Sequence, residues 1–245
     1  MKKLIIAILM MALPALGMAA GPSIPLLSAN IDLDDKESLQ RGAAIFIHNC
    51  LNCHSAHYMR YNRVSEDLGM AESEIKSMMF TTDNVGDTMV VALDPKEAKA
   101  WFGTLPPDLT VIERFRGADW LYTYFLSFYK DDSRPFGVNN LLFKDVGMPH
   151  AMLGMQGLAD PIYRDETLPD GSIRKVVDSL SQPAGGAMST ADYEEAVRDL
   201  VGFMVYMGEP AKLVRYDLGW KVILFLIFLT FLLYLLKKEY WRDIH

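Results

Sequence analysis

The sequence predicts a mainly α-helical soluble body followed by one C-terminal transmembrane helix. Apolar residues recur at helical spacing in several segments, whereas long alternating strand patterns are absent. Near the C-terminus, residues 222–236 are uninterrupted apolar sequence. A chain of 245 residues is long enough for one domain with appendages.

The first twenty residues have the pattern of a secretory signal peptide. Lys2 and Lys3 precede an apolar stretch at residues 4–16, and small residues follow at 17–20. Pro14 interrupts the apolar stretch, which is short for a membrane anchor, although an uncleaved anchor is the alternative. We therefore expect a signal peptide at 1–20 and export of residues 21–213 to the periplasm of a bacterium.

The mature chain is acidic. Loss of Lys2 and Lys3 lowers Lys+Arg from 24 to 22 against 31 Asp+Glu, so the formal net charge changes from −7 to −9. Such a balance makes nucleic acid a poor partner. It suits a basic protein partner or a merely solvated surface.

The C-terminal apolar run becomes long enough to span a membrane when its flanks are included. Trp220 to Trp241 is 22 residues, or ~33 Å as a helix, against a hydrocarbon core of ~30 Å. Tryptophan suits the membrane interfaces, and basic residues follow at 237, 238 and 242. The positive-inside rule places a short tail, 242–245, in the cytoplasm, and 214–219 is expected to link the span to the exported domain.

The two cysteines of the chain predict its chemistry. Cys50 and Cys53 are spaced Cys-x-x-Cys, and His54 follows directly, which is the attachment pattern of a c-type haem. Two thiols about one helical turn apart can each bond one vinyl group, and the histidine then supplies an axial nitrogen. A redox dithiol would sit after a strand, but a helical pattern precedes Cys50. A zinc site needs four ligands, and no second Cys or His pair has the required spacing.

The second axial ligand is expected to be Met148. It stands between Gly147 and Pro149, and a residue before proline is held extended, so its side chain can project from a loop. His150 is the alternative. His57 is too close to His54 in sequence to reach the other face of a haem.

Helical periodicity places the motif at the end of a helix. Acids at 34–37 precede an apolar pattern from Leu39 to Cys50, in which Gly42 suggests close approach of another helix. Further predicted elements are an extended arm at 22–33, helices near 71–79, 94–101, 108–115, 120–129 and 193–207, a loop at 133–148, and a small hairpin around the turn at 169–171.

The pattern Gly42-x3-Phe46-x3-Cys50 resembles the first helix of class I cytochromes c, in which the glycine lets the last core helix cross closely. The residues 193–207 would be that partner. More specifically, the chain resembles the cytochrome c1 family, in its segments Leu105-Pro-Pro-Asp-Leu109 and Arg116-Gly-Ala-Asp-Trp-Leu-Tyr122, its large insertions and its single C-terminal anchor.

The resemblance implies one covalently bound haem c, with His54 and Met148 as axial ligands. Pro107 would lie near the haem, and Arg116, or alternatively Arg114, would pair with a propionate. It also implies electron transfer from a Rieske iron–sulfur protein to soluble cytochrome c, beside cytochrome b, in a dimeric quinol–cytochrome c oxidoreductase (bc1) complex. No substrate-converting site of its own is implied.

Three other functions would use parts of the same sequence pattern. A membrane-anchored cytochrome c that shuttles electrons to a terminal oxidase would have the same haem motif, but usually an N-terminal anchor. A haem-based sensor would need a cytoplasmic signalling domain, and about ten residues follow the apolar run. An exported thiol oxidoreductase would use the two cysteines differently.

Overall fold

The computed structural model describes residues 24–91 and 93–244. The predicted signal peptide, residues 1–20, lies outside the described residues. From residue 24 to residue 32 the chain has no helix or strand, Asn30 has a left-handed φ of +48°, and the chain then turns into the first helix. This arm crosses two helices of the body, since the amide of Ala29 donates to Asp119 (2.8 Å) and its carbonyl accepts from Arg198 (3.1 Å).

The helices begin and end close to most of the predicted positions. In chain order they are α1 (Lys36–Ile45), α2 (Tyr61–Leu68), α3 (Glu72–Met78), α4 (Pro95–Phe102), α5 (Ile112–Arg116), α6 (Ala118–Leu126), α7 (Leu153–Gln156), α8 (Thr190–Gly208) and α9 (Lys212–Tyr240). A π-helical turn, Phe46–Cys50, continues α1, and a 3₁₀ turn, Arg242–Ile244, follows α9.

The strands of the described residues form four antiparallel pairs. They are β1 (Ala56–Arg60) with β2 (Thr88–Met89), β3 (Phe128–Lys130) with β4 (Val138–Asn140), β5 (Gly157–Leu158) with β8 (Ala184–Gly185), and β6 (Pro161–Thr167) with β7 (Ile173–Leu180). The β6–β7 hairpin turns at the predicted Pro-Asp-Gly, but it is longer than the sequence suggests.

The body is built on the crossing of α1 and α8, the most extensive helix–helix contact of the described residues. A Cβ added at Gly42 would lie 2.0 Å from the backbone oxygen of Asp199, so the two backbones touch at this point. Phe46 and Phe203 pack beside the crossing with ring centroids 5.5 Å apart. The expected close approach at Gly42, with the 193–207 helix as partner, is confirmed.

An ion pair between a buried carboxylate and a half-exposed arginine fixes the same crossing. The Asp199 side chain is almost fully buried and accepts two hydrogen bonds from Arg41 (2.6 and 3.0 Å) and one from Ser38 (2.5 Å). A buried carboxylate is tolerated only when it is paired in this way. Caps support the two helices, because Asp35 accepts from the Ser38 amide and Ser189 accepts from the Asp192 amide.

Three local predictions are wrong. A helix does not start at Asp108, because its carboxylate accepts from the amides of His57 and Thr110 and holds a loop, so α5 starts at Ile112. The helix predicted over 120–129 ends at Leu126, since Phe128 and the next two residues pair with β4. The linker expected at 214–219 is helical and belongs to α9.

The C-terminal helix has the length and composition of a membrane span. α9 has 29 residues, ~44 Å at 1.5 Å per residue, and none of its side chains is buried. Lys221 lies over the Trp220 ring and Lys237 over the Trp241 ring, at 5.7 Å in both cases. Cations beside interfacial aromatic rings suit the two ends of a span.

The crossing predicts a pair of glycine variants with opposite outcomes. Gly42→Ala puts a methyl group against the backbone of α8, so the free energy of unfolding should fall by about 3 kcal/mol or more. Gly202→Ala, in α8 itself, meets only side-chain atoms at 3.4 Å and beyond, and should be neutral or slightly stabilising. Denaturant unfolding of both variants measures the difference; equal stability would contradict the close backbone contact.

Candidate functional site

A cavity of about 320 Å³ brings the predicted haem residues together. Cys50, Cys53 and His54 form one side of its wall, and Met148 lies in the loop that forms another. Much of the remaining wall is aromatic or aliphatic, and includes Phe102, Leu109, Trp120, Tyr124, Phe143 and Met204. The wall is therefore mostly apolar, with the imidazole of His54 and the thioether of Met148 among its few atoms able to bind a metal.

The π-helical turn sets the position of the two cysteines. The amide of Leu51 bonds to the carbonyl of Phe46 (3.1 Å), and the chain then tightens so that the amide of His54 bonds to the carbonyl of Cys50 (2.9 Å). π-Helical turns of this kind are frequent at functional sites. The turn ends α1 with all three motif residues facing one cavity.

Both thiols are in the wrong environment for a redox dithiol. Burial, with a smaller contribution from Cys53, raises the pKa of Cys50 to about 12, and burial also raises the pKa of Cys53. A dithiol catalyst needs a thiol with a lowered pKa. The structure thus argues against the thiol oxidoreductase alternative.

His54 is oriented as a metal ligand. Its Nδ1 lies 2.8 Å from the carbonyl oxygen of Pro107, an acceptor only, so Nδ1 carries the proton and Nε2 keeps its lone pair. Burial lowers the pKa of His54, although the Pro107 carbonyl and Asp108 oppose the shift. The imidazole is therefore neutral near pH 7, which is the form that binds a metal.

Met148 is also held by a specific partner. The hydroxyl of Tyr124 donates to its sulfur at 3.4 Å. Burial raises the pKa of Tyr124 far above its ordinary value, so the hydroxyl keeps its proton and remains a donor. The loop that carries Met148 thus meets α6 through the side chain that the sequence predicts as a ligand.

His150 points away from this wall. It is 6% exposed and stacks on Phe128, with ring centroids 4.6 Å apart and an interplanar angle of 4°. Burial lowers its pKa to about 4, with Gln156 opposing the shift. The structure places Met148 in the cavity wall and His150 in the core behind the loop.

Of the two candidate arginines, Arg116 lines the cavity and Arg114 does not. Arg116 lines the cavity, and its guanidinium lies over the rings of Trp120 (4.7 Å) and Phe143 (5.6 Å). It forms no salt bridge with a carboxylate of the described residues. Arg114 packs instead against the end of α8, within 3.5 Å of a Cβ built at Gly208. Pro107 lines the cavity, and its carbonyl accepts the hydrogen bond from His54 Nδ1.

The comparisons with known proteins agree with this geometry. The family model described as "Cytochrome C1 family" matches residues 29–244. The chain belongs to the cytochrome c1 family. It is accordingly a haem protein of respiratory electron transport, and its one apolar C-terminal helix is compatible with a membrane anchor.

Individual relatives cover most or all of the chain. A cytochrome c1 of Allochromatium vinosum is 45% identical over 246 residues and covers 100% of both chains. A protein of Nitrosomonas europaea named ammonia monooxygenase gamma subunit is 46% identical over 245 residues, covering 100% of this chain and 98% of the relative. A cytochrome c1 of Rhodospirillum rubrum is 28% identical over 235 residues, covering 86% and 83%.

The wall of the cavity fits the haem of a cytochrome c1. An apolar slot suits a porphyrin ring, while the oriented Nε2 of His54 and the sulfur of Met148 are the two donors that such an iron accepts. Cys50 and Cys53 are both free thiols in the wall. Arg116, free of protein carboxylates among the described residues, suits a propionate.

Several residues around the ligand loop escaped the sequence analysis. Tyr124 lies in the helix predicted near 120–129, and nothing in that pattern indicates that its hydroxyl contacts the Met148 sulfur. Asn139 and Asn140 lie within the predicted loop 133–148, but they belong to strand β4 and are 3% and 1% exposed. An Asn-Asn pair just before an apolar dipeptide was the available signal, because buried asparagines must bond the backbone around them.

Proposed function

We propose that this chain is the haem subunit of a bc1 complex, which takes electrons from the Rieske iron–sulfur protein and passes them to a soluble cytochrome c. The observation that carries the proposal is the single cavity joining Cys50, Cys53, His54 and Met148, in a chain that the cytochrome c1 model matches along nearly its whole length. The fold around it has the α1–α8 crossing expected of a class I cytochrome c domain.

The protein residues divide into attachment, ligation and enclosure. Cys50 and Cys53 would hold one haem c through thioether bonds, and His54 Nε2 and Met148 Sδ would be its axial ligands. The bound haem supplies one-electron transfer by its iron. His54 is kept in the required tautomer by the Pro107 carbonyl. The apolar wall excludes water from the ring.

Two polar side chains would tune the site. Arg116, at the cavity and held over aromatic rings, would pair with a propionate and offset its charge. The Tyr124 hydroxyl withdraws electron density from the Met148 sulfur, which weakens the thioether as a donor and favours ferrous iron.

The proposed topology is that of a single-pass protein of the bacterial inner membrane. Residues 21–213 would form the periplasmic domain after removal of the 1–20 signal peptide, α9 would span the bilayer, and the tail after Trp241 would be cytoplasmic. Lys237, Lys238 and Arg242 at the end of the helix support that orientation through the positive-inside rule.

Cytochrome b and the Rieske protein are the proposed membrane partners, in a dimeric complex. The acidic balance of the mature chain supports a basic cytochrome c as the soluble acceptor, because opposite charges steer encounters between proteins.

The name of the Nitrosomonas europaea relative raises a second candidate, a subunit of an ammonia monooxygenase. An iron with side-chain ligands on both faces has no free position for oxygen. In that assembly as well, this chain would carry electrons rather than react with substrate.

Co-purification separates the candidates. We expect an affinity-tagged chain, solubilised in mild detergent from its own membranes, to retain a b-type cytochrome and an iron–sulfur protein in constant ratio. Mass spectrometry of the retained subunits gives the result. Isolation of monooxygenase subunits would favour the second candidate, and isolation with a terminal oxidase alone would indicate an electron shuttle.

Replacement of Met148 tests the ligand assignment. Met148→Leu should abolish the sulfur–iron absorbance band of the oxidised protein and lower its reduction potential substantially, because thioether ligation favours ferrous iron. Covalent haem should remain, since both cysteines are intact. Absorbance spectroscopy and a redox titration of the membrane-extracted protein measure both effects.

His150→Leu is the matched control, two residues away. It should keep the band and most of the potential, because His150 lies in the core behind the loop. Loss of the potential in His150→Leu, with retention of the potential in Met148→Leu and no sulfur–iron band in the unaltered protein, would show that the haem is ligated by two histidines.

A further inference from the structure

We propose that Asn139 and Asn140 are positioning residues that hold the Met148 sulfur at the haem face. The inference rests on the proposed ligation by Met148. It assigns a role to two buried side chains that do not themselves line the cavity.

Asn140 ties the start of the ligand loop to the helix that carries Tyr124. Its Nδ2 donates to the backbone carbonyl of Tyr124 at 2.8 Å. That carbonyl lies in the last turn of α6, where it also accepts from the amide of the C-cap residue Ser127 at 3.2 Å. The same tyrosine donates its hydroxyl to the Met148 sulfur. One residue of α6 is therefore held by Asn140 at its backbone and contacts the ligand by its side chain.

The side-chain oxygen of Asn140 holds the backbone of the loop that follows. Its Oδ1 accepts from the backbone amides of Leu142 and Phe143, both at 3.0 Å. All the bonds of this side chain are directed to backbone groups. Because Asn140 is 1% exposed, water cannot replace these bonds when the side chain is removed.

Asn139 holds a turn three residues before the ligand. Its Oδ1 accepts from the amide of Asp145 at 2.9 Å, and Arg134 donates to the carbonyl of Asp145 at 2.8 Å. Asp145 has a φ of +60°, a left-handed conformation that is unfavourable for a residue with a side chain. Hydrogen bonds thus hold Asp145, and with it the turn, at both its backbone amide and its backbone carbonyl.

The pairing of β4 with β3 fixes the two asparagines. Asn139 and Asn140 belong to β4 and pair with Tyr129 and Phe128 of β3, and Asn139 Nδ2 donates to Asp131 at 2.9 Å. The hydrogen bonds run from this rigid pair of strands to Tyr124 on one side and to Asp145 on the other. The loop end at Met148 is therefore positioned from two directions.

We call Asn139 and Asn140, with their hydrogen bonds, the clamp. Loss of the clamp has an effect that a general loss of stability does not have. Loosening the loop raises the fraction of molecules in which Met148 is away from the iron, and an added ligand binds only those molecules. The ferric holoprotein of Asn140→Ala should therefore bind imidazole about tenfold more tightly than the unaltered protein does. This factor corresponds to about 1.4 kcal/mol. Asn139→Ala should shift the affinity in the same direction, and it decides the question should Asn140→Ala give no holoprotein.

The control removes a buried hydrogen bond elsewhere. Ser65→Ala loses a bond to the carbonyl of Met70 (2.9 Å) and should lower the denaturation midpoint without changing the imidazole affinity. The experiment uses the full-length holoprotein in detergent, titrated with imidazole and followed by its absorbance spectrum.

Met148→Leu distinguishes a failure of the proposed ligation by Met148 from a failure of the clamp. If it leaves the imidazole affinity unchanged, Met148 is not the ligand, and the proposed ligation is overturned together with the clamp. If it tightens binding while both asparagine variants bind as the unaltered protein does, the clamp alone is overturned.

Discussion

The backbone contact between α1 and α8 at Gly42 is the constraint on which the site depends. It exists only because residue 42 has no side chain, and the ion pair of Arg41 with the buried Asp199 fixes the helices beside it. α1 ends in the π-helical turn that presents Cys50 to the cavity, while α8 contributes Met204 to the same wall. Displacing this crossing would therefore displace the side of the cavity that carries the two cysteines.

The two sides of the cavity are positioned by different physical means. His54 follows a helix and is oriented by one hydrogen bond to a proline carbonyl, which cannot be lost by side-chain rotation. Met148 lies on a loop, so its position depends on a buried network through Asn140 and Tyr124. Burial also keeps both of these cavity-lining residues neutral, because it lowers the pKa of His54 and raises the pKa of Tyr124.

Much of this arrangement was readable in the sequence. The Cys-x-x-Cys-His motif, the glycine four residues before Phe46 and the proline after Met148 each carry a local chemical reason. The failures came from tertiary contacts: pairing with β4 ends the helix predicted through Phe128, and Asp108 binds the amide of His57 instead of capping a helix. The roles of Asn140 and Tyr124 depend on partners many residues away, which spacing alone does not show.

Mass spectrometry of the acid-denatured chain tests the central claim most directly. Thioether bonds survive denaturation, so the account predicts a polypeptide heavier by one haem, with no thiol at Cys50 or Cys53 left to alkylate. A bare polypeptide with two alkylated cysteines, from protein that was red before denaturation, would show that the haem is not attached at this motif.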